Sequence, residues 1–309
     1  MPLAACALSR HAAVALLAAL STLASAHELP PLSYRHVGEE TTYTVKRGDF
    51  LIAIGARLGV DPRRLAANNG IDYDAVIRPG QTLRVDNRHL VPAATDDDGV
   101  VINLPQRMLF HFDARELVGA YPVGLGRPSW PTPVGTFKII SRVKNKPWLV
   151  PKSIQEELRA EGKVVVEEVP PGPDNPLGSH WLGMSMPGYG IHSTIAPASI
   201  YHFQSHGCIR LHPDDIGELF DAVKVGTPGR LIYQPVLLAW LDDGRILLEV
   251  HPDAYAKAGD PFEVAHAMAQ AYGLVPGIDW ARAEAVIAAQ EGIAREVGHL
   301  PRTRTQGTP

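Results

Sequence analysis

Cysteine is almost absent from this chain: Cys6 and Cys208 are the only two in 309 residues. With one thiol in the mature chain and no spaced second pair, a structural zinc site is not expected, and no cofactor is expected either. An excess of positive charge is missing as well. The 29 Lys and Arg are outnumbered by 33 Asp and Glu, and a formal net charge of -4 excludes the broad basic surface that a nucleic-acid backbone demands. Past the first 26 residues no apolar run reaches the roughly 20 residues of a bilayer span, so none is expected in the mature chain.

What is present begins at the N-terminus. Arg10 and His11 precede an apolar run over 12–20, which ends in Ala24-Ser25-Ala26. A basic flank, a short apolar stretch and a small-x-small terminus describe a secretory signal over residues 1–26. Cys6 sits ahead of the apolar run and is incidental to a leader that is removed. The mature chain then carries one cysteine into an oxidising compartment with no partner. Cys208 is therefore either buried and inert or kept free for chemistry.

The length allows two or three units. Residues 27–41 are polar and Pro-containing and read as a linker. Residues 42–86 form a compact unit whose pattern is strand, helix, helix, strand. Thr44-Val45 and 83–85 alternate like strands, Ile52, Ile54 and Leu58 have helical spacing, and Asp61-Pro62 reads as the cap and first residue of a second helix. Asp96-Asp97-Asp98 marks a solvated connector. From 98 to 234 short strands dominate, with candidates at 100–103, 107–112, 116–121, 137–140 and 229–233 and one helix at 214–220. That pattern predicts a mainly β sandwich or barrel. Residues 235–309 read as an extension: a strand at 245–250, amphipathic helices from Phe262 and over 283–297, and a disordered tail from Arg302.

The chemistry concentrates in Gly190-Ile191-His192-Ser193-Thr194 and Ser205-His206-Gly207-Cys208-Ile209-Arg210-Leu211. A thiol attacks as thiolate, and an adjacent imidazole can lower a thiol pKa of about 8.5 by one to several units or accept its proton. Two histidines beside the only mature cysteine therefore describe an activated nucleophile. A glycine just before it lets backbone approach a reacting carbonyl. Trp130, Trp148, Trp181 and Tyr189 are candidates for the walls of a substrate groove, with core packing as the alternative. The prolines between 170 and 187 suggest a long ordered loop near the site.

These residues carry two resemblances. Tyr43-Thr44-Val45, Gly48-Asp49, Gly59-Val60, Asn68-Asn69 and Pro79-Gly80-Gln81-Thr82-Leu83 resemble a LysM module, which implies glycan binding through Gly48, Asp49, Phe50 and Asn69. His192, a twelve-residue spacer and Ser205-His206-Gly207-Cys208 resemble the signature of the YkuD-type L,D-transpeptidase catalytic domain. Trp130-Pro131-Thr132-Pro133-Val134-Gly135-Thr136-Phe137 and Pro147-Trp148 add to that match, and Cys208-Ile209-Arg210 looks like the periplasmic Gram-negative subgroup. The resemblance implies a YkuD-type β-sandwich over 98–234, preceded by the LysM unit and followed by a short α-helical region. It implies Cys208 as nucleophile and His192 as base, oriented through the Ser193 carbonyl, with the roles of His192 and His206 left exchangeable. Ser205 and His206 would support the loop, and the Gly207 and Cys208 amides would line the oxyanion site. Arg210 would be either a carboxylate clamp or half of a structural ion pair. The implied partners are peptidoglycan stem peptides and glycan strands, with an outer-membrane protein as one conceivable acyl acceptor. A hydrolase using the same thioester and a non-catalytic wall-binding protein are the alternatives.

Overall fold

A computed structural model describes residues 29–93 and 99–302; the segment read as a secretory signal, Asp96-Asp97-Asp98 and the chain from 303 lie outside the described residues. Strand Glu40–Thr44 pairs antiparallel with strand Thr82–Asp86, from Glu40 opposite Asp86 to Thr44 opposite Thr82. Helices Leu51–Leu58 and Pro62–Asn68 lie between them. Gly59, at φ 69°, ends the first helix in the left-handed conformation that glycine adopts without strain. Asp61 accepts a hydrogen bond from the Arg63 N–H at 2.9 Å and Pro62 opens the second helix. Leu51, Ile54, Leu65, Leu83 and Val85 close a small core of their own.

The central unit is one nine-stranded sheet. Its order is Phe203–Ser205, Glu116–Gly126, Ile209–Leu211, Gly190–His192, His180–Met184, Gly135–Lys144, Pro228–Ile232, Val100–Asn103, Met108–Asp113. The long strand Glu116–Gly126 pairs with Met108–Asp113 through its first half and with Ile209–Leu211 through its second. The sheet therefore closes on itself, leaving two faces around one core. Period-2 burial shows in Gly135–Lys144, where Phe137 and Ile139 are buried and Lys138 and Ile140 exposed. Helix Pro213–Ala222 adds Ile216, Leu219 and Phe220 to that core. Helix Lys152–Ala160, with no buried residue, carries a short apolar stripe at Ile154 and Leu158 that is not among the expected helices.

The C-terminal region departs from a strand followed by helices. Strands Val236–Trp240, Arg245–Val250 and Arg295–His299 form an antiparallel sheet covered by helices Pro261–Ala271 and Trp280–Ala289. The helix expected over 283–297 stops at Gln290, which takes a left-handed φ of 44°. Gly292 follows at φ 67°, where a Cβ would come within 2.7 Å of the His251 ring. Arg302, read as the start of a loose tail, donates to Asp242 at 2.9 Å and lies over the Trp240 ring. The supposed linker is also built in. Leu32 is buried beneath the C-terminal sheet, Ser33 bonds to Leu238 and Trp240, and His36–Val37 pairs with His89–Leu90. No helix among the described residues is long and apolar enough to cross a membrane.

Where the three units meet, polar groups are buried together. Glu249 is 0% exposed, and its Oε1 faces His89 Nδ1 at 2.8 Å, His251 Nε2 at 2.7 Å and Gln106 Nε2 at 3.1 Å, while Oε2 accepts from the Leu90 N–H at 2.5 Å. The other His89 nitrogen faces the Gly59 carbonyl at 2.8 Å. With acceptors on both ring nitrogens, His89 is an imidazolium, and the Glu249 charge raises its pKa against the opposing effect of burial. Two imidazole contacts shorter than 3 Å and an amide N–H aimed at one carboxylate oxygen describe a hydrogen-bonded ion pair, not a vacant metal site.

Candidate active site

Strand pairing builds the site. Gly190–His192 runs parallel to Ile209–Leu211, with Ile191 opposite Ile209 and His192 opposite Arg210. Ile191 points into the core, so period-2 alternation turns His192 to the other face, beside the loop that ends at Cys208. On the antiparallel side Trp181 is opposite His192, and its ring stacks on the imidazole at 5.8 Å with the planes 20° apart. His192 Nδ1 lies 2.5 Å from the Ser193 carbonyl oxygen, to which it donates. That tautomer leaves Nε2 bare as a proton acceptor. Burial, then the Arg210 charge, brings the His192 pKa down to about 4, against the Ser193 and Leu177 carbonyls, which favour the cation.

Cys208 starts as a thiol. Burial pushes its pKa up, opposed by the Gly190 N–H and by the positive charges of Arg210 and Lys146. Its Sγ lies 3.7 Å from the Gly188 carbonyl. The resting site thus pairs a neutral thiol with a neutral imidazole, and a thiol in that state reacts only after giving up its proton.

The loop between them holds itself in shape. Ser205 Oγ donates to the Cys208 carbonyl at 2.6 Å and accepts from the Gly207 N–H at 3.1 Å. The Gly207 amide, expected at an oxyanion site, is thereby already occupied. Gly207 has φ 103°, and a Cβ there would sit 2.7 Å from the Tyr189 ring, so no other residue fits. His206 Nε2 lies 2.6 Å from Glu157 Oε2, and the His206 ring meets Trp130 edge-on at 5.2 Å. Glu157 also pairs with Arg127, and hydrogen bonds from Arg127 and His206 hold its carboxyl below the usual range. His206 is thus tied to helix Lys152–Ala160, whereas His192 Nε2, in the tautomer set by the Ser193 carbonyl, carries no proton. Of Arg210's two readings the structural ion pair finds no acidic partner among the described residues, and Nε is buried without an acceptor.

His192, Ser205, His206, Cys208 and Arg210 line one cleft of about 410 Å³. Trp130, Trp148 and Tyr189 form its walls, and Pro176, Leu177 and Pro187 come from the proline-rich loop, whereas Trp181 packs behind His192. In the small unit over 42–86 Phe50 is half exposed. Gly48, at φ 89°, and Asp49, which accepts from Tyr43 Oη and the Lys46 N–H, make the turn into the first helix. Asn69 spends its amide inside the module, donating to the Leu65 and Arg84 carbonyls and accepting from the Arg84 N–H. Asn69 is therefore structural. Glu157 and Arg127 were not legible as site residues, because they meet His206 and each other from far along the chain.

The model of the L,D-transpeptidase catalytic domain, YkuD, matches residues 97–236, and that of the LysM domain matches 43–86. The chain is 35% identical over 235 residues to a probable L,D-transpeptidase, ErfK/SrfK, of Salmonella typhimurium, covering 74% of this chain and 75% of that one. It is 34% identical over 256 residues to a probable L,D-transpeptidase, YcfS, of Escherichia coli, covering 81% and 79%. The chain belongs to the L,D-transpeptidase family. As an L,D-transpeptidase with a LysM domain it is a cell-wall enzyme whose substrate is peptidoglycan. The mainly β fold with its closed sheet is the architecture on which this L,D-transpeptidase carries its site.

Proposed function

We propose that Cys208 and His192 carry a two-step acyl transfer from a tetrapeptide stem. His192 Nε2 takes the Sγ proton as sulfur attacks the carbonyl of the third stem residue. The tetrahedral adduct collapses to a thioester, and the departing D-alanine amine leaves with that proton. An acceptor amine then attacks the thioester and gives its proton to His192, which returns it to sulfur as the new amide forms. The observation that carries this reading is the bare Nε2 of His192, fixed by the Ser193 carbonyl, in the same cleft as Cys208.

Arg210, which lines the cleft with a buried Nε that has no acceptor and with no acidic partner among the described residues, holds a carboxylate of the donor in this reading. Arg210→Met is expected to raise the donor KM by about 10-fold or more, the worth of a charge-assisted hydrogen bond. Arg210→Lys is expected to recover part of it. A KM unchanged in both variants would count against the clamp.

The acceptors that fit are amines: a neighbouring stem peptide, giving a 3-3 cross-link, a lysine of an outer-membrane protein, or a free D-amino acid. The segment over 1–26 delivers the enzyme to the periplasm, and the LysM module holds it on glycan strands. Mass spectrometry of tetrapeptide-rich sacculi incubated with the enzyme and a lysine peptide or D-amino acid tests this. A mass gain at the third residue with loss of D-alanine is expected. Tripeptide without adduct would mean that water is the acceptor, and binding without any change would mean a non-catalytic wall protein.

A further inference from the structure

The C-terminal unit reaches the back of the nucleophile loop through one side chain. Between strand Arg245–Val250 and helix Pro261–Ala271 the chain turns around Asp253, whose carboxylate accepts from the Lys257 N–H at 3.0 Å and the Ala258 N–H at 2.8 Å and from the Tyr233 hydroxyl. Tyr233 in turn accepts from the Tyr255 N–H at 2.9 Å, and the two rings stack at 5.7 Å. Phe203 closes on Tyr255 edge-on at 5.4 Å. Held in this way, the Tyr255 hydroxyl donates to the Gly126 carbonyl at 2.6 Å and accepts from the Thr132 N–H at 3.3 Å.

Thr132 passes the contact on. It is 0% exposed, and its Oγ1 accepts from the Gly126 N–H at 3.0 Å and donates to the Gly207 carbonyl at 2.9 Å. That carbonyl shares a peptide with the Cys208 N–H. In a planar trans peptide the two point in opposite directions. Thr132 and Tyr255 lie outside the lining of the cleft, so the carbonyl faces the protein interior and the Cys208 N–H faces the cleft. The Gly207 N–H is spent on Ser205, while the Cys208 N–H meets no acceptor among the described residues.

We infer that Tyr255, acting through Thr132, is a positioning residue that aims the Cys208 amide at the oxygen of the tetrahedral adduct. This rests on the reading of Cys208 as nucleophile, and it gives the C-terminal unit a part in catalysis. Donors aimed where charge develops act on the chemical step and not on binding. Tyr255→Phe removes the donor to Gly126 with little change of shape, Thr132→Val removes the donor to Gly207, and Thr132→Ser retains it.

The experiment is steady-state kinetics of D-alanine release by the full mature chain, with iodoacetamide alkylation of Cys208 and the 15N–1H resonance of its amide recorded on the same proteins. Tyr255→Phe and Thr132→Val are expected to lower kcat by about 10-fold or more, with KM and alkylation within about twofold of wild type. Thr132→Ser is expected to stay near wild type, and the Cys208 amide resonance to move in the two impaired variants. An unchanged kcat in Tyr255→Phe, or a fall matched by slower alkylation, would overturn the inference. If the wild type forms no thioester, the reading of Cys208 fails separately. The amide resonance then decides the positioning alone, an unmoved one overturning it.

Discussion

Cys208→Ala is expected to stop donor cleavage, lowering the rate by at least ~10⁴-fold, and His192→Gln to lower kcat/KM by about 10²–10⁴-fold. The two losses do not add. Nε2 of His192 has no function in the first step without a thiol to deprotonate, and a thiol whose pKa burial has raised is a poor nucleophile without a base. The double variant should be no slower than Cys208→Ala alone. Glutamine at 192 can still donate to the Ser193 carbonyl, so the fold is retained while the basic nitrogen is lost. The same pair sets the pH dependence. His192 works as a base only when neutral, and its pKa is lowered to about 4, so activity is lost as pH falls through that value and not through 6.5. The Cys208 thiol is raised above its ordinary 9.0, so no alkaline gain arises near neutrality. A kcat/KM plateau from about pH 5 to 8 is expected. An acid limb centred near 6.5 would show that His192 is not a buried neutral base, and substantial donor cleavage by Cys208→Ala would remove the cysteine from the mechanism.

The LysM unit was legible because every signal for it is local: Asp61-Pro62 as cap and first turn, Gly59 as helix stop, and alternation in the flanking strands. Other strands were legible for the same reason, whereas His180–Met184, Gly190–His192 and Ile209–Leu211, which flank Cys208 and His192, are only three to five residues long and leave too little alternation to read. Strand 245–250 matches Arg245–Val250, and 100–103 matches Val100–Asn103. Cys208 and His192 stood out as candidates because two imidazoles beside an unpaired cysteine have few other uses. Contacts across the chain left no such mark. The Glu157 carboxylate meets His206 from a helix whose apolar stripe, Ile154 and Leu158, is only half-buried, and nothing local says that this helix faces Cys208. Tyr255 lies in a turn of the C-terminal unit and reaches Gly126 across 129 positions, a pairing no local periodicity encodes. The end of the last helix was different. Gly292 stood in plain view inside the stretch read as helical, and its weight as a stop signal went unused. Residues 29–41 misled because polarity and proline describe a linker, while Leu32 and Ser33 are fixed by a sheet 200 residues away.

Glu249→Leu is expected to be the most destabilising of the variants considered, by about 3–5 kcal/mol, because it leaves the His89 imidazolium buried without its counter-charge. The Leu90 N–H and Gln106 amide lose their acceptor in the same step. His89 stands between the LysM unit and the sheet, Gln106 belongs to the catalytic unit, and Glu249 and His251 to the C-terminal unit. The damage should therefore appear in one cooperative transition, not as melting of a single unit. For a chain of this size the fall in Tm is about 10 °C, read by thermal or urea unfolding. Replacing His89 with methionine in the Glu249→Leu background removes the stranded charge and should recover part of the loss. The pair also fixes how stability follows pH. Glu249 is lowered to about 2 from its ordinary 4.5, so its contribution is complete above 4.5 and is lost as pH falls toward 2. His89 is raised above its ordinary 6.5, so its contribution is complete below 6.5 and is lost as pH rises through the raised value. Both are intact between 4.5 and 6.5, and there the difference between wild type and Glu249→Leu should be largest. A variant within about 1 kcal/mol of wild type across that window would mean that His89 is neutral and that the junction is held by hydrogen bonds alone.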